Sequence, residues 1–221
     1  MKREKLDMPA RPILDVYLTA ITDDTEIFPV ASEKRSAYIA AASHARVRRE
    51  RYTVWRLLER GIERSFDLRA EALEFTEKDG IWSCDGLSFS LSHSRGVAAA
   101  AVSNGAVGVD VESVDGFASR VPDFERVARR ICSDDELARV KSRGDLLRIW
   151  TKKESIFKCI GEGGVFLKET DAAAHETLTR ELKIPAPCIL SVCGESLPNT
   201  RIFIVSGDDV RPISNEDITG G

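Results

Sequence analysis

A mixed α+β fold is what this sequence predicts, and three observations predict it. Strand-like segments occur on both sides of the chain's midpoint, long helical patterns separate them, and the order strand, helices, strands occurs twice.

The first strand is expected at 13–21, where apolar residues alternate, and a helix rich in arginine follows from about 46 to 63. Strand patterns come next at 71–76, 87–92 and 97–103. Asn104-Gly105 lies between VAAAAVS and AVGVDVES, which predicts a two-residue type I′ hairpin joining 97–103 to a strand at 106–112. Helices are expected at 123–131, 134–141 and 145–160. Ser133 and Glu136 have the capping-box spacing for the second, and Gly161 stands where the third should end in a left-handed residue. Strands at 188–193 and 201–206 complete the repeat. This places a boundary between an N-terminal unit, 1–104, and a C-terminal unit, 105–221, with no Pro-rich linker between them. Residues 1–10 and the polar tail after Pro212 are expected to be poorly ordered or peripheral.

The chain has 221 residues, 43% hydrophobic and 31% charged, enough for a substantial core. Its formal charge of −4 argues against a general binder of nucleic acid or anionic membranes. No run approaches the roughly 18 apolar residues of a membrane helix. Asp15 interrupts the first apolar stretch and no small-residue cleavage pattern follows, so no signal peptide is read. Five cysteines without a CxxC and only three histidines spell neither a disulfide framework nor a zinc site. A reducing, cytoplasmic compartment is the expectation.

Three stretches carry candidate chemistry. In VGVDVES the strand period of two sends Asp110 and Glu112 to one face and Val109 and Val111 to the other. An acidic pair on an apolar strand faces either solvent or a cation. In WTKKESIFKCIGEG the helical spacing aligns Trp150, Glu154 and Lys158 in one stripe. A third carboxylate would complete a hard-oxygen set suited to Mg²⁺, and Lys158 would supply a second positive charge to a metal-bound phosphate. FSLSHSRG is a polar strand end whose hydroxyls, imidazole and guanidinium can donate to an anion; a Ser-His nucleophile is excluded because neighbours on a strand point opposite ways. The six arginines between Arg46 and Arg60 do not share one helix face, so most read as solvated.

FSLSHS, VGVDVES and WTKKESIFKCIGEG, in this order and spacing, resemble the signature motifs of the 4′-phosphopantetheinyl transferases, specifically the Sfp-type group. The resemblance implies two similar α+β subdomains related by a pseudo-twofold axis, with coenzyme A and Mg²⁺ in the cleft between them. It implies transfer of the phosphopantetheine arm to a serine of an apo carrier protein, with release of 3′,5′-ADP. By that resemblance Asp110, Glu112 and Glu154 match the metal-binding acids, Glu154 is also a candidate base, and Lys158 matches the lysine on the pyrophosphate. His93 matches the histidine near the 3′-phosphate and Ser92 its neighbouring phosphate ligand. The family's Gly-Lys-Pro is replaced by TEKDGIW, leaving Lys78 as its substitute, and Lys34 with Arg35 stands for an incomplete N-terminal basic pair. Arg48 and Arg49 are the residues expected to face an acidic carrier. A monomer is expected, without nucleic acid or membrane partners. The rival readings are a silent carrier-binding module and another Mg²⁺-dependent phosphotransferase or phosphohydrolase.

Overall fold

Leu14, Val16 and Leu18 of β1 (Leu14–Ala20) point to one side of the strand and Asp15 and Tyr17 to the other, and each side is buried. The same holds for β5 (Val97–Ser103), all seven of whose residues are buried. Strands covered on both faces read as nearly continuous apolar runs, which is why VAAAAVS lacks polar alternation.

The computed structural model describes residues 9–78, 80–161 and 168–219. Expectations for residues 1–8, and for Glu162 and Gly163 at the end of the third motif, lie outside the described residues. Within them, β1 and β5 pair antiparallel at the centre of a five-stranded sheet completed by β4 (Ser88–Ser94), β9 (Thr200–Ser206) and β10 (Asp209–Pro212), in the order β10-β9-β1-β5-β4. A second sheet has the order β6-β8-β7, built from β6 (Val107–Ser113), β7 (Thr177–Leu182) and β8 (Cys188–Gly194). A small hairpin pairs β2 (Phe75–Lys78) with β3 (Ile81–Cys84).

The sheets pack against each other through one apolar cluster. Leu14, Val16 and Leu18 with Val97, Ala99 and Ala101 meet Val107, Val109, Val111, Leu190 and Val192. Each outer face carries one long helix. On the first sheet this is α2 (Ala45–Phe66), which buries Val54, Trp55, Leu58 and Ile62 at helical spacing and ends at Asp67 in the left-handed region, φ 56°. On the second it is α6 (Arg143–Ile160), opened by a Ser142 hydroxyl that accepts from the Asp145 N–H and closed at Gly161, φ 70°. The expected α+β architecture is observed, with each sheet under one long helix; the strands expected at 188–193 and 201–206 do not complete one repeat, because β8 joins β6 while β9 and β10 return to the first sheet, where β9 pairs parallel with β1. Shorter helices flank them: α1 (Glu33–Ala40), α3 (Val114–Arg120), α4 (Phe124–Ile131) and α5 (Asp134–Arg139), the last with the capping box expected of Ser133 and Glu136.

Three further expectations are corrected. Asn104-Gly105 is not a hairpin turn. Both edges of β5 are already taken, by β1 and β4, so β6 pairs with β8 in the other sheet instead. Neither turn residue has positive φ. The Asn104 side chain accepts from the Ile13 N–H at 2.9 Å and donates to the Arg11 carbonyl at 2.8 Å, fixing the entry to β1. The polar tail is not peripheral either. Arg211 grips the buried Asp217 with two nitrogens, at 2.7 and 2.9 Å, and the Lys183 and Thr219 N–H groups bond across to carbonyls at 2.8 Å. That charge pair, rather than apolar pattern, ties the tail down. The guanidinium holds the Asp217 carboxyl well below the usual range. The 71–76 pattern begins as a single 3-10 turn over Ala70–Ala72 before β2.

Candidate functional site

The site grows from Gly108. A Cβ there would lie 2.0 Å from the Ser155 carbonyl oxygen and 2.4 Å from the Cys159 nitrogen, so the backbone of α6 rests directly on β6. No other residue type permits that approach. The contact fixes where the exposed stripe of α6 falls, and it brings Lys158 to the open edge of β6.

β6 is an edge strand, and side chains rather than a further strand satisfy its outward backbone groups. The Val109 N–H donates to Ser90 Oγ at 3.0 Å and the Val111 N–H to Ser92 Oγ at 3.1 Å. Lys158 Nζ donates to the Val109 carbonyl at 3.2 Å. The serines come from β4, where alternation turns Ser90, Ser92 and Ser94 toward β6 and Phe89, Leu91 and His93 toward α2.

Asp110 and Glu112 lie at this edge and are 5% and 7% exposed. Asp110 Oδ1 accepts from Ser92 Oγ at 2.7 Å and from Lys158 Nζ at 2.8 Å, while its Oδ2 is buried with no hydrogen-bond partner. Glu112 Oε2 accepts from Ser94 Oγ at 2.6 Å and from the Arg120 guanidinium. Glu154 is half-buried and enters no ion pair among the described residues. Burial, then the charges of Asp110 and Glu112, push its carboxyl upward against the pull of Lys158. Burial, with the Asp110 charge behind it, also raises Glu112, opposed by Ser94 and Arg120. Carboxylates raised by one another are a set short of positive charge.

Among the described residues no three acids, histidines or cysteines converge on a single point; Glu154 is in electrostatic reach of the strand acids rather than in contact with them. The residues nevertheless fit a divalent cation of the hard type. The donors are carboxylate oxygens, and the buried Oδ2 of Asp110 has no other partner.

On the α2 side, His93 Nδ1 lies 3.9 Å from Glu50 Oε2, and Arg46 bonds the other Glu50 oxygen at 2.6 Å. Crowding around the imidazole pushes its pKa down, and the charges of Lys158, Arg35 and Arg46 push the same way against Glu50. Arg35 is buried under the rings of Tyr38, Trp55 and Trp82, and burial lowers its pKa to about 10. Lys34 and Lys78 are exposed, on α1 and at the end of β2. The structure thus brings together Ser92, His93, Asp110, Glu112, Glu154 and Lys158, and leaves Lys34 and Lys78 on the surface. Arg48 and Arg49 bond the Ala42 carbonyl and Asp23. A recess of about 710 Å³ between α2 and the loop before α1, lined by Glu26, Phe28, Arg56 and Glu63, contains none of the site residues.

Arg120 and Glu50 are members of the site that sequence reasoning misses; Ser94 was expected as an anion donor and meets Glu112 instead, and Arg46, one of the helix arginines expected to be mostly solvated, meets Glu50. The Ser-x-Ser-x-Ser alternation of β4 was a usable signal for Ser94. Arg120 carried none, because α3 itself was not foreseen.

Residues 106–184 match the family model ACPS, the 4′-phosphopantetheinyl transferase superfamily. The matched stretch is less than half of the chain and contains Asp110, Glu112, Glu154 and Lys158 but not Ser92 or His93. No curated protein matches the chain. The matched stretch runs from β6 through the helices α3 to α6 to β7, the elements that carry the acidic edge. No helix among the described residues is long and apolar enough to cross a membrane.

Proposed function

We propose that this protein is an Sfp-type 4′-phosphopantetheinyl transferase that moves the phosphopantetheine arm of coenzyme A onto a serine of an apo carrier protein, with Mg²⁺, in the cytoplasm. The observation that carries the reading is the meeting of Glu154 and Lys158 with Asp110 and Glu112 inside the stretch that matches the superfamily. A division near residue 104, where the chain passes from β5 to β6, belongs to the same reading, with residues 200–212 returning to the first sheet.

The carrier serine oxygen forms a bond to the phosphorus that bears pantetheine, and the bond from that phosphorus to the oxygen of 3′,5′-ADP breaks. Glu154 is the base that accepts the serine proton. Its raised pKa suits that role, since a carboxylate short of positive charge holds a proton more readily. Lys158 has its ammonium group beside Asp110, where it balances charge on the departing oxygen. Asp110, Glu112 and Glu154 would hold the cation, which supplies charge neutralisation for the pyrophosphate. His93, with Arg46 and Arg35 near it, receives the 3′-phosphate.

One test of the last assignment is pH. A phosphate against His93 raises a pKa that the free protein holds low, so binding takes up a proton near neutrality. Coenzyme A should bind more tightly as pH falls from about 8 to about 6. Calorimetry in two buffers of different ionisation enthalpy should show the uptake, and His93→Gln should abolish it. A profile equally steep in His93→Gln would move the phosphate elsewhere.

The direct test is to incubate the protein with coenzyme A, Mg²⁺ and a panel of apo carrier proteins and weigh the carriers intact. A gain of one phosphopantetheine arm, lost with EDTA, is the expected result. Coenzyme A binding without transfer to any carrier would favour the silent module, and no binding at all the phosphohydrolase.

A further inference from the structure

Two serines two residues apart on β4 face two acids two residues apart on β6. Each serine donates its single hydroxyl proton to one oxygen of one acid: Ser92 to Asp110 Oδ1 at 2.7 Å, Ser94 to Glu112 Oε2 at 2.6 Å. The second oxygen of Asp110, Oδ2, is buried with no hydrogen-bond partner among the described residues, and the bonds from Ser94 and Arg120 both fall on Glu112 Oε2, the opposite oxygen from Oε1. We infer that Ser92 and Ser94 are positioning residues that fix the two strand carboxylates in one rotation, so that the same oxygen of each is presented to a divalent cation. The inference rests on the reading that these acids take such a cation.

Geometry and valence both favour this over a direct phosphate contact by Ser92. A hydroxyl has one proton to donate. That of Ser92 is committed to Asp110, and its oxygen already accepts the Val111 N–H at 3.1 Å, with the residue 6% exposed. A phosphate would have to take the proton from a carboxylate that sits beside two other acids. Ser94 is buried to the same degree and donates only to Glu112. The strands' matching period also explains why the alternation is Ser-x-Ser: any odd spacing would turn the second hydroxyl to the α2 side. Partners that orient a carboxylate before the cation arrives typically change cation affinity by about tenfold or more when removed.

Ser90 supplies the control. It makes the same kind of β4 to β6 bond, to the Val109 N–H at 3.0 Å, yet donates to neither acid. The experiment titrates Mn²⁺, a hard divalent probe, into the full chain without coenzyme A and reads free Mn²⁺ by electron paramagnetic resonance. Wild type should bind. Ser92→Ala and Ser94→Ala should each weaken binding about tenfold, whereas Ser90→Ala should stay within about twofold of wild type. Ser94→Thr keeps the hydroxyl and should restore the affinity lost in Ser94→Ala. Should Ser92→Ala fail to fold, the Ser94→Ala, Ser94→Thr and Ser90→Ala comparison decides alone.

Equal affinities in all variants would overturn the inference while leaving the cation reading standing. So would a loss in Ser90→Ala as large as in the other two, because the serines would then matter only for holding the strands together. No Mn²⁺ binding by wild type would overturn the cation reading and this inference with it. Coenzyme A affinity measured in EDTA distinguishes the other role: a loss in Ser92→Ala there would make Ser92 a phosphate ligand instead.

Discussion

Glu154→Gln is expected to abolish transfer and to raise the melting temperature in the same molecule. The activity side follows from the loss of the proton acceptor, worth about 10²- to 10⁴-fold for a positioned base. The stability side follows from the sign of the pKa shift. Glu154 is raised in the folded chain by burial and by the Asp110 and Glu112 charges, so above its raised value, as at neutral pH, the folded state carries an ionised carboxylate at a cost the unfolded chain does not bear. Glutamine removes that cost. The gain is present at neutral pH, fades as pH falls from the raised value toward the ordinary one, and is absent below it, where the carboxyl is protonated in both states. Because the group is only half-buried the effect is modest, a rise of about 1 to 3 °C by scanning calorimetry. Retained transfer in Glu154→Gln would remove Glu154 from the mechanism. A lower melting temperature would mean that its charge is stabilised by something other than the neighbours described.

Gly108→Ala is the second large effect, and it acts on geometry alone. The added methyl would meet the Ser155 carbonyl oxygen at 2.0 Å and the Cys159 nitrogen at 2.4 Å, both backbone atoms that cannot rotate away. The helix must lift from β6 by about an ångström, at a cost toward or above the upper end of the roughly 1 to 3 kcal/mol typical of overpacking. A fall in melting temperature of about 6 °C or more is expected. Since Lys158 reaches Asp110 only because α6 lies this low, transfer by the folded fraction should also drop, by about 10²-fold. Calorimetry and a transfer rate at a temperature where the variant is folded measure the two parts separately. A variant as stable and active as wild type would show that α6 does not depend on this contact.

The sequence was most legible where one physical rule decided the outcome. The strand period placed Asp110 and Glu112 together, and the helical stripe placed Glu154 above Lys158. The capping pair at Ser133 and Glu136 opened α5 as expected. It was least legible where the answer depended on which neighbour a strand would find. Asn104-Gly105 has the local chemistry of a tight turn, but pairing of β5 on both edges overrides it. β10 and the buried Asp217 are held by the edge of β9 and by the single arginine Arg211, neither of which leaves a periodic trace. α1 and α3 are short and polar, eight and seven residues, and their stability comes from packing and capping more than from pattern. In the site, Arg120 was out of reach for the same reason. A surface arginine looks like any other until the fold shows which carboxylate it meets.

Between β4 and β6 no backbone carbonyl accepts from Val109 or Val111; serine hydroxyls do. A ladder bond opens only when two strands separate, whereas a hydroxyl leaves its donor by a χ1 rotation, which for the buried Ser90 and Ser92 waits on local loosening of the edge around them. The acidic edge therefore lies along a joint between the sheets whose polar connections are side chains rather than a backbone ladder, while the apolar contact beneath it holds the sheets in register. Proton exchange at those two amides would sample the local opening of that joint rather than the unfolding of either sheet, which makes them native reporters of how often the site loosens.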